Sequence, residues 1–145
     1  MDSEGSIYRS STKLTLEGAK AMLLASERKA RQIGVPMDIA IVDEGGNLLA
    51  FERMDGAKIT GIDIAINKAF TAAASRRGTH EYAEVASPGK PAFGIHVSNQ
   101  CRFVIFGGGL PILVKGEVIA GIGCSSGTAE QDRLVAQAGI DALPG

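Results

Sequence analysis

Residues 103–132, FVIFGGGLPILVKGEVIAGIGCSSGTAEQD, decide how this chain folds. Residues 102–106 form a short apolar run that predicts a strand, and Gly107, Gly108 and Gly109 follow it. Residues 111–114 and 118–123 flank Lys115-Gly116-Glu117, the pattern of a β-hairpin. Thr128-Ala129-Glu130-Gln131 then reads as a capping box: the Thr hydroxyl holds an amide three residues on, and the Gln reaches back. The helix opened by this box carries Leu134, Val135 and Ala138 as its apolar stripe.

Working outward, the same grammar recurs upstream. Thr15 is an N-cap with Glu17 in the first turn, and Ala19, Met22, Leu23, Ser26, Ala30 and Ile33 trace one helical face. Gly34 and Pro36 end that helix, which spans residues 16–33. Residues 37–43 and 48–53 are two strands around the turn Glu44-Gly45-Gly46-Asn47. A second helix carries Ile62, Ala65, Ile66, Ala69, Phe70 and Ala73, and runs into Arg76, Arg77 and a terminating Gly78. It is apolar on more than one side, which predicts packing against both the sheet and a second subunit. Thr79 caps a short third helix over residues 80–85, and residues 93–97 predict a further extended segment after the loop SPGKP. Strands joined by hairpins give an antiparallel sheet, so the fold class is α/β of the α+β kind. Residues 1–13, rich in Ser and charge, read as a mobile arm before a single domain at 14–145.

Composition narrows the function. With 15 Lys+Arg against 16 Asp+Glu, the chain has no basic field of the kind nucleic-acid binding requires. No stretch reaches the length of a membrane helix, and the polar start has no apolar leader, which predicts a cytoplasmic protein. Cys101 and Cys124 stand outside any CxxC pair and read as free thiols. No His/Cys cluster has metal-site spacing, so no metal ligands are assigned.

The candidate site residues fall in a few places. The triplet Gly107, Gly108 and Gly109 is either a ligand-contacting turn or a place where backbone packs closely. Ser125 and Ser126 precede a helix whose free amides can hold an anion. His80 and His96 are the two histidines, and either can serve as an axial ligand of haem, which needs only one or two. His96, Lys68 and Cys124 form the candidate catalytic set. His96 is its base, the Gly108 and Gly109 amides are oxyanion donors, and Arg53 or Lys68 anchors a substrate carboxylate. Lys68 stands out because it interrupts an otherwise apolar helix.

The segments NKAFTAA, FGGGLPI, KGEVIAGIG and SSGTAEQD, at residues 67–73, 106–112, 115–123 and 125–132, resemble the GlcG/HbpS-like family. That family comprises GlcG proteins, haem-binding HbpS-like proteins and the C-terminal domain of PduO-type proteins. The resemblance runs from about Leu14 to the C-terminus. It implies a profilin-like three-layer α/β/α sandwich with an antiparallel sheet of about five strands, and homo-oligomers that are often octamers. It also implies a haem or related tetrapyrrole ligand and a role in cofactor or iron handling. Two other functions stay open on the residues alone: an isomerase, hydratase or lyase of small hydroxy or keto acids, and a non-catalytic interaction domain.

Overall fold

Two antiparallel hairpins pair through their inner strands to make the sheet. The computed structural model describes residues 6–144. Its elements are α1 (Leu16–Ile33), β1 (Asp38–Asp43), β2 (Leu48–Arg53), α2 (Thr60–Ser75) and α3 (Thr79–Val85), then a 3-10 turn (Ile95–Val97) and a one-turn α4 (Ser98–Cys101). β3 (Gly109–Val114), β4 (Glu117–Ser125) and α5 (Ala129–Asp141) complete the order. The strands lie β2-β1-β4-β3, each antiparallel to its neighbours. Of the expected arm, residues 6–13 are exposed and outside any helix or strand, and Lys13 pairs with Glu44. Residues 1–5 lie outside the described part.

Strand alternation divides the core in two. Ile39 and Ile41 of β1, with Ile122 and Cys124 of β4, point to one face, where α1 and α5 cover them with Met22, Leu23, Val135 and Ala136. Ala40 and Val42 point to the other face, against Ala65, Ala69 and Ala73 of α2. This second contact is close because β4 presents glycine to the helix. A Cβ at Gly121 would fall 2.5 Å from the Ala69 carbonyl oxygen, and one at Gly123 only 2.1 Å from that of Ala65. Three layers result: α1 and α5, the sheet, and α2. On the far side, Gly139 admits α1 against α5, and Ser26 Oγ donates to the Val135 carbonyl at 2.8 Å.

The caps hold as the sequence dictates at two helices. Thr15 accepts from Gly18 N–H and Gly34 closes α1 in the left-handed region, while Thr128 and Gln131 form the capping box of α5. Elsewhere tertiary contacts win. The left-handed residue ending α2 is Arg76 (φ 63°), not Gly78. Thr79 does not cap α3. Its Oγ1 accepts the Gly109 amide at 2.9 Å, and Glu81 takes the Gly78 N–H instead. On α5 the buried side is Asp132, Val135, Ala136 and Gly139, so Leu134 faces outward, 46 % exposed.

Among the described residues the sheet has four strands, one fewer than expected. Residues 93–97 are not extended: Gly94 (φ 101°) turns the chain into the 3-10 turn at Ile95–Val97. Residues 102–106 join no ladder. Their backbone bonds to α2 instead: Thr71 Oγ1 accepts the Val104 amide at 3.0 Å and donates to the Asn67 carbonyl at 2.8 Å. Tyr82 and Phe103 meet edge to face at 4.7 Å, and the Arg102 guanidinium stacks 3.8 Å over Phe70. Residues 93–106 therefore run along the outer side of α2.

Candidate functional site

Two neighbouring hollows open where the end of the sheet meets α2. Strand alternation places Asp38 and Ser125, opposite each other in register, on the α2 face beneath the first turn of that helix. The chain then leaves β4 through Ser126 and Gly127 into α5, so the N-termini of α2 and α5 converge on the same place. Between them lies a crevice of about 210 Å³ lined by Thr60, Gly61, Lys68, Ser125, Ser126 and Ala129 among others.

Lys68 forms the floor. It is 1 % exposed, and its ammonium donates to Asp132 Oδ2 at 2.8 Å and to the Cys124 carbonyl at 2.9 Å. Asp132 is itself buried and accepts the Gly127 amide through its other oxygen at 2.9 Å. A buried pair of this kind is strongly destabilising when one partner is removed, by about 3–5 kcal/mol. The Lys68 charge also sits 5.2 Å from the centroid of the Phe106 ring. Asp38 is fully buried, and neither of its carboxylate oxygens has a hydrogen-bond partner among the described residues. Burial pushes its carboxyl above the ordinary carboxylate range, against the opposing charge of Arg53.

The second hollow is an apolar groove of about 490 Å³ between α2 and residues 96–106. Ile64, Val97, Phe103, Val104, Ile105 and Phe106 supply most of its wall, and His96, Cys101, Asp63 and Asn67 its polar groups. Ile64 and Phe106 belong to both hollows. The groove rim is backbone held out of its ordinary conformations: Asn99, Gln100 and Cys101 all have left-handed φ, at 54°, 58° and 63°. Each such non-glycine residue costs about 1–2 kcal/mol. Val97 and Phe106 leave 63 % and 46 % of their surface exposed beside the groove. The His96 ring lies 5.8 Å from that of Phe93, and its Nδ1 is buried without a hydrogen-bond partner among the described residues.

The structure thus brings together some of the residues singled out from sequence and scatters others. Lys68, Ser125 and Ser126 share the crevice, and His96 lies in the adjoining groove. His80 lines neither hollow. It packs against Gly78 and Gly107, and burial followed by the Arg133 charge lowers its pKa. Arg53 sits at the outer edge of the sheet and also lines neither. Cys124 is sealed in the core, and burial, with the Asp132 charge second, pushes its thiol far up, which keeps it protonated and unreactive. Gly107, Gly108 and Gly109 line neither hollow. A Cβ at Gly108 would fall 2.5 Å from Lys68 Nζ and one at Gly109 2.4 Å from the Lys68 carbonyl, so Gly108 makes room for the ammonium and Gly109 lets β3 pack onto α2, while Gly107 faces Ala129 and His80. The Gly109 amide is spent on Thr79. Of that catalytic set, His96 lines the groove and Lys68, one of its two candidate anchors, the adjoining crevice, while Gly108, Gly109 and the other anchor, Arg53, line neither.

Sequence reasoning missed Asp38, Asp132, Ile64 and Phe106. Asp132 carried a signal, an acidic residue in the first turn of α5, but such residues ordinarily serve the helix dipole at the surface. Its partner lies 64 residues away, a separation that no local pattern encodes.

Fold and site together define a class: a three-layer α/β/α sandwich with an apolar groove beside a buried ion pair. Residues 14–141 match the family described as haem degrading protein HbpS-like, and the chain belongs to that family. A 15.0 kDa protein of Citrobacter freundii, encoded in the dhaT–dhaS intergenic region, is 49% identical over 128 residues, covering 88% of this chain and 90% of that one. The crystal structure of Klebsiella pneumoniae protein ORFY superposes with a TM-score of 0.93 at 41% identity, covering 97% of each chain. The crystal structure of a PduOC–haem complex superposes with a TM-score of 0.87 at 34% identity, covering 91% of this chain and 96% of that one. No helix among the described residues is long and apolar enough to cross a membrane.

Proposed function

We propose that this protein binds haem or a related tetrapyrrole in the apolar groove, with His96 as the axial ligand. The observation that carries the proposal is the meeting of His96 with a groove of about 490 Å³ whose walls are Ile64, Val97 and residues 103–106. That volume lies within the roughly 300–1,000 Å³ range of ligand pockets, and the apolar lining suits the face of a macrocycle. A haem iron accepts one or two axial protein ligands and would supply one-electron iron redox chemistry there. The fit rests on the donor set. His96 lines the groove, and its buried Nδ1 has no hydrogen-bond partner among the described residues, which leaves that nitrogen uncommitted to the protein. The exposed apolar surfaces of Val97 and Phe106 would be covered by such a ligand. Cys101, also in the lining, offers a second soft donor. Membership of a family described as haem degrading, and the likeness to a PduOC–haem complex, support the same ligand.

In this proposal the protein works in the cytoplasm as a homo-oligomer, octameric as the family resemblance implies, in cofactor or iron handling. Exposed apolar residues on α5 and on the edge strand β3, Leu134, Leu113 and Val114, are the surface that supports self-association. Its net charge of −1 offers little electrostatic resistance to it.

Titrating the purified protein with hemin and following the Soret band tests the ligand. The proposal predicts a saturable shift in the wild type and in His80→Ala, and its loss in His96→Ala. A band that survives His96→Ala unchanged, or its absence from the wild type, contradicts it.

A further inference from the structure

The polar groups of the groove are divided between its two walls. Asp63 and Asn67 stand one turn apart on α2, while His96 and Cys101 belong to the segment that faces that helix. Asp63 and Asn67 are the pair the haem proposal does not use, and the Asn67 amide is fixed at both ends. Its Nδ2 donates to Asp63 Oδ2 at 3.1 Å, and its Oδ1 accepts from Arg102 Nε at 3.3 Å. Such an amide has one orientation, since turning it over would set donor against donor and acceptor against acceptor. Nδ2 carries two N–H groups and Asp63 takes one. The second has no partner among the described residues.

Arg102 is itself held in place. Its guanidinium lies 3.8 Å over the Phe70 ring, its amide donates to the Asn99 carbonyl at 3.1 Å, and its carbonyl accepts from Thr71 Oγ1 at 3.2 Å. No carboxylate forms an ion pair with it among the described residues. A cation on Oδ1 polarises the amide and makes the remaining Nδ2 hydrogen a stronger donor.

We infer that Asn67 is the hydrogen-bond donor for a small exogenous ligand, a diatomic molecule or a short anion, bound on the α2 side of the groove, and that Arg102 is its positioning residue. The inference rests on the haem proposal. A macrocycle between the two walls with His96 on one face turns its other face to α2, where Asp63, Ile64 and Asn67 form the lining. That wall offers no imidazole or thiolate, because Cys101 shares the wall of His96. The axial position on the α2 side is therefore left to a molecule from outside, and the free Asn67 N–H stands on the wall beside it.

The test uses the full chain loaded with hemin, as wild type, Asn67→Leu, Arg102→Ala and Arg102→Lys. Leucine is a good helix former of similar size, so Asn67→Leu should melt like the wild type and give the same Soret band. After reduction with dithionite, the infrared C–O stretch of added carbon monoxide reads the donor, because a hydrogen bond to the bound ligand lowers it. The expected result is one low-frequency band in the wild type and a higher one in Asn67→Leu. Arg102→Ala should show two bands, since the amide can then turn over, and Arg102→Lys, which still donates to Oδ1, should keep one. In the oxidised protein azide should bind about three- to tenfold more weakly in Asn67→Leu, as for one lost hydrogen bond. An Asn67→Leu chain that takes up hemin normally and keeps the wild-type stretch and azide affinity overturns the inference and leaves the haem proposal standing. A wild type that takes up no hemin removes both. A single wild-type band in Arg102→Ala overturns the part given to Arg102.

Discussion

The two hollows share a wall but are built by different means. The crevice is made from regular elements: the end of β4, two helix starts, and charges fixed by hydrogen bonds at 2.8–2.9 Å. The groove is made from one irregular segment laid along α2, held by Thr71, Arg102 and Phe103 and turned by three left-handed residues. The contrast separates roles. Charges fixed to one another in this way brace the junction of α2, β4 and α5. A wall of loop and exposed apolar side chains suits a large flat ligand that must be admitted before it is enclosed.

The sharpest break of that contrast is Lys68→Ala. It leaves Asp132 charged and buried with only the Gly127 amide against it, and chemical denaturation should show a loss of about 3–5 kcal/mol. The Lys68→Met, Asp132→Leu pair should recover most of it, and a double variant as unstable as the single one would show that the crevice depends on more than its ion pair. Next comes Gly123→Ala, where a Cβ would press within 2.1 Å of the Ala65 carbonyl and lift α2 from β4. The expected loss is about 1–3 kcal/mol, and both hollows should open together, read as faster amide exchange along α2. The groove answers in the other direction. Gln100→Gly relieves a left-handed residue (φ 58°) and should raise stability by up to about 1 kcal/mol, at the cost of a looser rim.

The smallest effect lies on the opposite face of the sheet, away from both hollows. Burial, then the hydrogen bond and charge of Glu27, raise the Glu52 carboxyl from its ordinary 4.5 to about 7. The folded chain therefore holds a proton that the unfolded chain releases, so stability is greatest below pH 4.5 on this account and falls as pH rises toward 7. Glu27, lowered chiefly by its hydrogen bond to Arg31, works oppositely at more acid pH. Glu52→Gln should flatten the melting temperature between pH 4.5 and 7 and leave hemin binding untouched.

The same contrast explains what the sequence disclosed. Thr15 and Gly34 around α1, the turn at Glu44–Asn47 and the box at Thr128 are local devices, and each sits where its chemistry places it. The crevice was half legible, since a lysine inside the apolar run of α2 and two serines before a capped helix are visible anomalies. Asp38 and Asp132 were not, because their burial is decided by strand register and by a partner remote in the chain. The groove was least legible. Residues 102–106 have the apolar run of a strand, but Thr71 captures the Val104 amide and holds the segment along α2 instead of in the sheet. The glycine triplet announced a close approach, and at Gly109 it is met where β3 packs onto α2.

The most direct test of the central claim is a crystal of the hemin-loaded protein with anomalous data collected at the iron edge. The account predicts one iron peak per chain in the groove, within bonding distance of the His96 ring. A peak beside His80, or one remote from residues 96–106, would contradict it.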